Sequence, residues 1–464
     1  MGHHEGDTNR PKEVQYIGGL FLGALSIIDI PSDQQLKTYT QQVFSNTPYD
    51  QRKEYLSDSE PGNPIPQRVG DLSPIKYVFY IIKENRTYDQ VLGDVSKGNG
   101  DSTLTLFGEK ITPNLHKIAN EFVLLDNFYV NAEVSCDGHN WTTGAYATDY
   151  LEKTWPSNYS SRGDVYAGEG GHPMGNNKNG FIWDLCNAHD VSYRSYAEFC
   201  DRKNENINGK TIKGEVVPTI KSLEGHVCKT YEPWDMDVRD TTRYYQWAAD
   251  FDSLLDIGQV PQFNTLRFGN DHTEGMRLNR PTPFAHVADN DLAVGLMVDH
   301  LSHSPIWKES VVFIIEDDAQ NGCDHVDAHR STAYLAGGYV KRHFFDSTPY
   351  TTTSMLKTIE LILGLPPMTQ YDAGARSMWR CFSQTADTSQ FHHLAANIPL
   401  NQVNQKQNRW QAMSDKYDFD TEDNVPDMEF NQVLWHGIKG DTAVYPGLRR
   451  SAFLTYSMND NDDD

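Results

Sequence analysis

Residues 310–331, SVVFIIEDDAQNGCDHVDAHRS, hold an apolar run that ends abruptly in Glu316, Asp317 and Asp318, with Asp324, His325, Asp327 and His329 following closely. Carboxylates this close repel one another, so one of them stays protonated unless a cation neutralises them. The stretch therefore points to a metal ion at the end of a buried strand. A second apolar run, YVFYII, ends the same way in Lys83, Glu84, Asn85 and Arg86. In open α/β sheets, ligands bind in the crevice beyond the carboxyl ends of the strands. One polar strand end is as often a helix cap or a turn, but two of them beside a His-rich segment favour a metal site.

The stretch NAEVSCDGHNWTTGAY places Ser135 and His139 at the start of an expected helix. A hydroxyl there sits in the positive partial field that stabilises an alkoxide and binds phosphate oxygens. The plainer role, a helix cap, suits Asp137 better than Ser135. A fourth stretch, FGNDHTEG, contains Asn270, Asp271 and His272. An Asp-His pair is ordinary in a surface turn and gains interest only as a further ligand set.

These residues need elements to position them. KYVFYII and VVFII are continuous apolar runs rich in β-branched and aromatic residues, as strands buried on both faces are. TPNLHKIANEF reads as a helix, VLLDNFYV as a strand, and DGHNWTTGAYATDYLEKTW as a helix opened by Asp137. NKNGFIWDLCNAHD and VSYRSYAEF read as helix then strand, ADNDLAVGLMVDHLSHSPIWKES as a helix, RSTAYLAGGYV as a strand and TTTSMLKTIELILGL as a helix. Such alternation predicts an α/β sandwich on a mostly parallel central sheet with helices on both faces. Residues 13–30 read as two short strands, the core of a hairpin unit over 1–30. Residues 31–75 are polar and rich in Pro, Gly and Ser and read as a linker. The main domain is expected over 76–455, with an acidic, disordered tail over 456–464.

The chain has 464 residues, 38% hydrophobic and 22% charged, and carries a formal net charge of −24. That charge argues against nucleic-acid or anionic-membrane binding, and most of the acids belong to a solvated face. No apolar run approaches the ~20 residues of a membrane span, and MGHHEGDTNRPKE has no apolar signal-peptide core. Six cysteines without CxxC spacing argue against a zinc ribbon. Cys200 and Cys228 flank a loop-rich stretch, and whether they form a disulfide is left open.

IIKENRTYDQVLGD resembles the opening motif of the phosphoesterase family that contains bacterial phospholipases C and acid phosphatases. EDDAQNGCDHVDAHRS is similar to the later motif of that family, and LLDNFYVNAEVSCDGHNW, NDHTEG, ADNDLAVG and TTSMLKTIELILGL follow in its usual order, over roughly residues 76–385. The family lies in the alkaline phosphatase superfamily, so the resemblance implies an alkaline-phosphatase-like sandwich with metal at the strand ends. YIGGLFLGALSIIDIP and YTQQVFSNTPY resemble the last strands of a YncE-like β-propeller. This implies a chain that is the C-terminal part of a propeller–phosphatase fusion, with the hairpin as a remnant.

Carried over residue by residue, the resemblance places the first metal ligand at Glu84 or Asn85 and the nucleophile at Ser135. Asp317 and Asp318 stand where many members have an Asp-His pair, and His329 matches a later histidine ligand. Asp271 is a weaker match, with His272 beside it, and His325 is either a ligand or a group behind one. The departures from a two-zinc pattern leave metal identity and number open among one or two ions of Zn, Mg, Ca or Mn. A sulfatase is less well matched, because Cys136 is followed by Asp-Gly-His rather than a C-x-P-x-R segment.

The expected reaction is hydrolysis of phosphate mono- or diesters through a covalent phosphoserine at Ser135. His139 or His325 is a candidate for proton transfer and Arg86 for holding phosphate oxygens, although a strand-end Arg equally often pairs with an acid such as Asp89. The expected partner is a small phosphate ester, and the resemblance implies a periplasmic or secreted location. Competing readings are phospholipase C activity, a metal-stabilised binding module without catalysis, and a calcium-binding structural domain. The last is disfavoured because DDAQNGCD follows a strand and lacks the closing Glu of an EF-hand.

Overall fold

The computed structural model describes residues 25–47, 54–159, 166–207, 210–320, 322–420 and 425–446. Its centre is a five-stranded sheet of β1 (Tyr77–Lys83), β2 (Tyr193–Tyr196), β3 (Phe263–Phe268), β4 (Ser310–Glu316) and β5 (Ala333–Gly337), in the order β5-β4-β1-β3-β2. All pairings are parallel except β5 on β4, which is antiparallel and forms one edge. Successive residues of a strand face opposite sides of its sheet. Val78 to Lys83 are all buried, so both faces of β1 are covered. The chain is thus an α/β protein with a mostly parallel central sheet.

Four helices matter to the site: α1 (Ser135–Gly144), α2 (Asp240–Asp256), α3 (Pro283–Ser302) and α4 (Thr352–Leu363). Trp247 and Phe251 of α2 pack edge-on against Phe79 of β1. Asp291 of α3 tethers a shorter helix, Pro113–Glu121. Its carboxylate accepts from the backbone N–H groups of Asn114 and Leu115, at 3.1 and 2.7 Å.

Several expectations change. The expected helix from Asp137 is two helices: α1 begins at Ser135 and stops at Ala145, whose φ of 57° is left-handed, and the chain restarts at Asp149–Tyr159. Asp137 is not the N-cap. It lies within the first turn and accepts from the N–H groups of Val134 and Glu133, so its carboxylate caps the helix from inside. VLLDNFYV is two short strands, Val123–Leu125 and Phe128–Tyr129, each paired in a separate small sheet.

The expected linker 31–75 contains a helix, Asp33–Asn46, with a Ser32 capping box. Its later part is bound to the domain: Ile65 is fully buried, and Asn63 donates to the Trp379 carbonyl. The expected hairpin lies mostly outside the described residues, and Leu25–Ile30 are exposed and form no strand. The tail 456–464 also lies outside them. Cys200 and Cys228 are both free thiols.

Candidate active site

The carboxyl ends of β1, β4 and β3 lie level, with Lys83 opposite both Glu316 and Phe268. The residues just beyond therefore share one crevice: Glu84 and Asn85 after β1, Asp317 and Asp318 after β4, and Asn270, Asp271 and His272 after β3. Asn85 turns the chain at once, with a φ of 63°, a left-handed conformation in which Asn is enriched among non-glycine residues. Helix α1 delivers Ser135 into this crevice. Its hydroxyl oxygen lies 2.8 Å from Asp318 Oδ2 and 3.0 Å from Asn85 Oδ1. Ser135, Glu84, Asn85, Asp317 and Asp318 are all buried.

His139, one turn after Ser135, completes a second group. Glu84, His139 and Asp317 each offer a ligand atom within 4.8 Å of the other two. His139 Nδ1 is bonded to Glu198 Oε1 at 2.8 Å, which turns Nε2 toward Glu84 and Asp317, at 3.6 and 3.5 Å. Burial disfavours the charged imidazole, but the carboxylates of Glu169 and Glu198 outweigh it and hold His139 well above the ordinary range. Gly138 permits this packing, since a Cβ there would come within 3.1 Å of Asp317 Oδ2.

Three buried cations lie among the acids. Lys83 bridges Asp271 at 2.6 Å and Glu316 at 2.7 Å. Arg267 of β3 pairs with Glu84 at 2.6 Å and Glu169 at 2.9 Å and approaches His139 Nε2 at 3.0 Å. Arg86 is turned away from the expected phosphate-holding role: its guanidinium donates to the carbonyls of Asn85, Asp271 and His272. These bonds tie the end of β1 to the segment after β3. The repulsion expected from sequence is therefore partly relieved by lysine and arginine, and Glu316 is spent on Lys83.

The remaining residues named from sequence stand outside the Ser135 and His139 groups. Asp271 accepts from the Glu84 N–H at 3.1 Å and pairs with Lys83; burial outweighs the lysine and lifts its pKa to about 7. The His272 ring stacks on Phe430 and meets Trp234 edge-on, with Nδ1 held by the Thr273 carbonyl. His325 belongs to a network with Asp89, at 2.6 Å, and Asn99, which Arg330 ties to Asp324. His329 lies between Asp327 at 2.9 Å and Glu133 at 3.3 Å. Asp89 pairs with Arg330 rather than Arg86 because Arg330 reaches it at 2.9 Å.

The sequence reading missed Glu169, Glu198 and Arg267, which reach the site from a loop, a loop and a strand interior. No motif marks them, and only the fold brings them to His139 and Glu84.

No family model and no curated protein matches this chain. Solved structures do show similarity. A protein of the alkaline phosphatase superfamily from Vibrio parahaemolyticus is 16% identical, with 73% of this chain and 78% of that chain covered and a TM-score of 0.46. The lipoteichoic acid synthase LtaP from Listeria monocytogenes is 12% identical over 70% of this chain and 81% of that chain, with a TM-score of 0.40. Human ectonucleotide pyrophosphatase/phosphodiesterase 5 is 14% identical over 52% and 56%, with a TM-score of 0.30.

Proposed function

We propose that the chain is a metal-dependent phosphoesterase of the phospholipase C and acid phosphatase type, acting on soluble phosphate mono- or diesters outside the cytoplasm. The observation that carries this reading is Ser135 at the start of α1, within hydrogen-bond distance of both Asn85 and Asp318 at the ends of two parallel strands. A serine hydroxyl needs such partners, and the positive end of a helix, to become a nucleophile at phosphorus.

The donor set fits a divalent cation. Three buried carboxylates, from Glu84, Asp317 and Asp318, converge with the Asn85 amide oxygen, the Ser135 hydroxyl and His139 Nε2. Arg267 pairs with Glu84 and Glu169 and reaches His139 Nε2 at 3.0 Å, a single guanidinium among several carboxylates. Oxygen-rich ligation suits Mg, Ca or Mn, and His139 admits Zn. Bound there, such an ion would neutralise phosphate oxygens and favour the seryl alkoxide.

The protein's own groups divide the remaining work. Asn85 and Asp318 orient the Ser135 hydroxyl and accept its proton's hydrogen bond. Ser135 Oγ bonds to phosphorus as the ester oxygen leaves and takes up a proton as alcohol. Water then attacks the phosphoserine, the bond from phosphorus to Oγ breaks, and Ser135 regains its proton. Glu198 fixes the His139 ring so that Nε2 faces the reacting groups.

The test is hydrolysis of p-nitrophenyl phosphate, bis-p-nitrophenyl phosphate and p-nitrocatechol sulfate by chelator-stripped protein resupplied with Zn, Mg, Ca or Mn singly. Metal-dependent turnover of a phosphate ester that falls to background in Ser135→Ala is expected. Turnover surviving Ser135→Ala would remove Ser135 as nucleophile, turnover of the sulfate alone would replace phosphorus with sulfur, and no turnover at all would favour the binding module.

A further inference from the structure

At the far end of α3 from the candidate active site, four histidines and two aspartates meet on the surface. Asn290 of α3 bonds to Asp271 at the candidate site, and Asp299 lies nine residues further on, about 14 Å along a helix rising ~1.5 Å per residue. Asp299 and His303 stand at the end of α3, and His392 and His393 come from a separate segment laid beside it. A ligand atom from each of Asp299, His303 and His392 lies within 4.8 Å of the other two. The rings of His303 and His392 have centroids 5.2 Å apart.

The hydrogen bonding preorganises the imidazoles. Asp299 Oδ1 is 2.9 Å from His303 Nδ1, and Asp299 Oδ2 is 2.6 Å from His393 Nδ1. The Asp299 backbone carbonyl also lies 2.8 Å from His303 Nδ1. Nδ1 of both rings is thereby the protonated nitrogen, which leaves the Nε2 lone pairs available. A carboxylate that receives one ring N–H so that the other nitrogen can bind metal is a recurrent arrangement. His303 and His393 line a groove of about 430 Å³ together with Tyr244, Leu255 and Leu296. His300 is committed elsewhere, between Asp252 at 2.8 Å and the Tyr244 hydroxyl at 3.2 Å.

We propose that this surface cluster binds a divalent transition-metal ion of the Zn(II) or Cu(II) class through His303 and His392, with Asp299 as ligand or as the positioning carboxylate. Imidazole donors and an open groove suit those ions and not Mg or Ca. A bound ion would clamp segment 391–394 to the end of α3. The site shares no residue with the candidate active site and does not depend on the reading of its chemistry.

The test is calorimetric titration of the chelator-stripped 464-residue chain with Zn(II), beside His392→Ala, His303→Ala/His392→Ala and Asp299→Asn variants. The wild type is expected to take up one more equivalent than the double variant, with p-nitrophenyl phosphate turnover unchanged between them. Loss of the orienting carboxylate in Asp299→Asn should weaken that equivalent by about 10–100-fold. A Cu(II) resonance signal with nitrogen coupling should appear in the wild type and be absent from the double variant. Equal zinc uptake by wild type and double variant, or a copper signal that survives in the double variant, would overturn the proposal. His392 and His303 are exposed, so their replacement leaves the fold intact.

Discussion

Gly138 has no side chain because Asp317 occupies the space: a Cβ would lie 3.0 Å from the Asp317 carbonyl oxygen and 3.1 Å from Oδ2. Gly138→Ala is therefore expected to push α1 and Asp317 apart and to lower kcat/KM more than stability. A misplacement of ~1 Å at reacting groups costs about 100-fold, so a shift of a few tenths of an ångström should cost about tenfold. Steady-state kinetics and a melting curve on the same variant check this. His329 offers a second residue-scale prediction. Burial lowers its pKa, but hydrogen bonds to Asp327 and Glu133 outweigh that and lift it to about 10. The raised value means that His329 binds its proton more tightly folded than unfolded. Its stabilisation is complete below about pH 6.5 and fades as pH rises to about 10, at no more than roughly 1.4 kcal/mol per pH unit. Urea titrations of wild type and His329→Ala across that range should converge as pH rises. At this scale the sequence is most readable where an apolar strand ends in acids. That pattern brings Glu84, Asn85, Asp317 and Asp318 forward together with Lys83, Arg86 and Glu316, and the family resemblance singles out the four, whereas Arg267 lies inside a strand that alternation does not distinguish.

Between elements, the strand ends are joined by charge. Lys83 of β1 holds Glu316 of β4 and Asp271 beyond β3 in a buried triad. Lys83→Met leaves two carboxylates buried without their cation, which costs about 3–5 kcal/mol when one partner of such a pair is removed. Chemical denaturation should report that loss, and a value below ~1 kcal/mol would mean that the carboxylates are held by other groups. Asp291 does comparable work for the helix Pro113–Glu121, whose own N-cap, Thr112, caps no helix N–H with its side chain. Asp291→Ala leaves two helix N–H groups buried and unmet, at about 1–3 kcal/mol, and the urea midpoint should fall accordingly. The element types were legible from β-branched apolar runs and helical periodicity. Their boundaries were not, because the left-handed residue that breaks the helix is Ala145 and not the Gly144 before it. The capping of one helix by an aspartate of another is likewise invisible before the two are packed.

For the whole molecule, the sharpest departure from the sequence reading is the stretch ahead of β1. Polar, proline-rich composition suggested one linker over 31–75, yet its two parts behave differently. Helix Asp33–Asn46 buries none of its residues and leaves Val43 and Phe44 exposed. Residues 55–75 instead lie on the domain: Ile65 and Ile75 enter the core, Ser59 bonds to the Ile65 carbonyl, and Ser57 reaches Ser377. Composition cannot separate these cases, because the second part is held by two isolated isoleucines and by backbone and hydroxyl hydrogen bonds rather than by a periodic apolar run. Deletion separates them. A chain that lacks residues 33–46 but keeps 54–75 is expected to hold the stability and turnover of the whole to within about 0.5 kcal/mol, since that helix buries none of its residues and losses away from buried contacts rarely exceed that. A chain starting at Lys76 uncovers the sites filled by Ile65 and Ile75. With about 2–5 kcal/mol lost for each large buried aliphatic side chain removed, it should unfold well before the first deletion in urea. Equal stability of the two shortened chains would return residues 54–75 to the status of a linker.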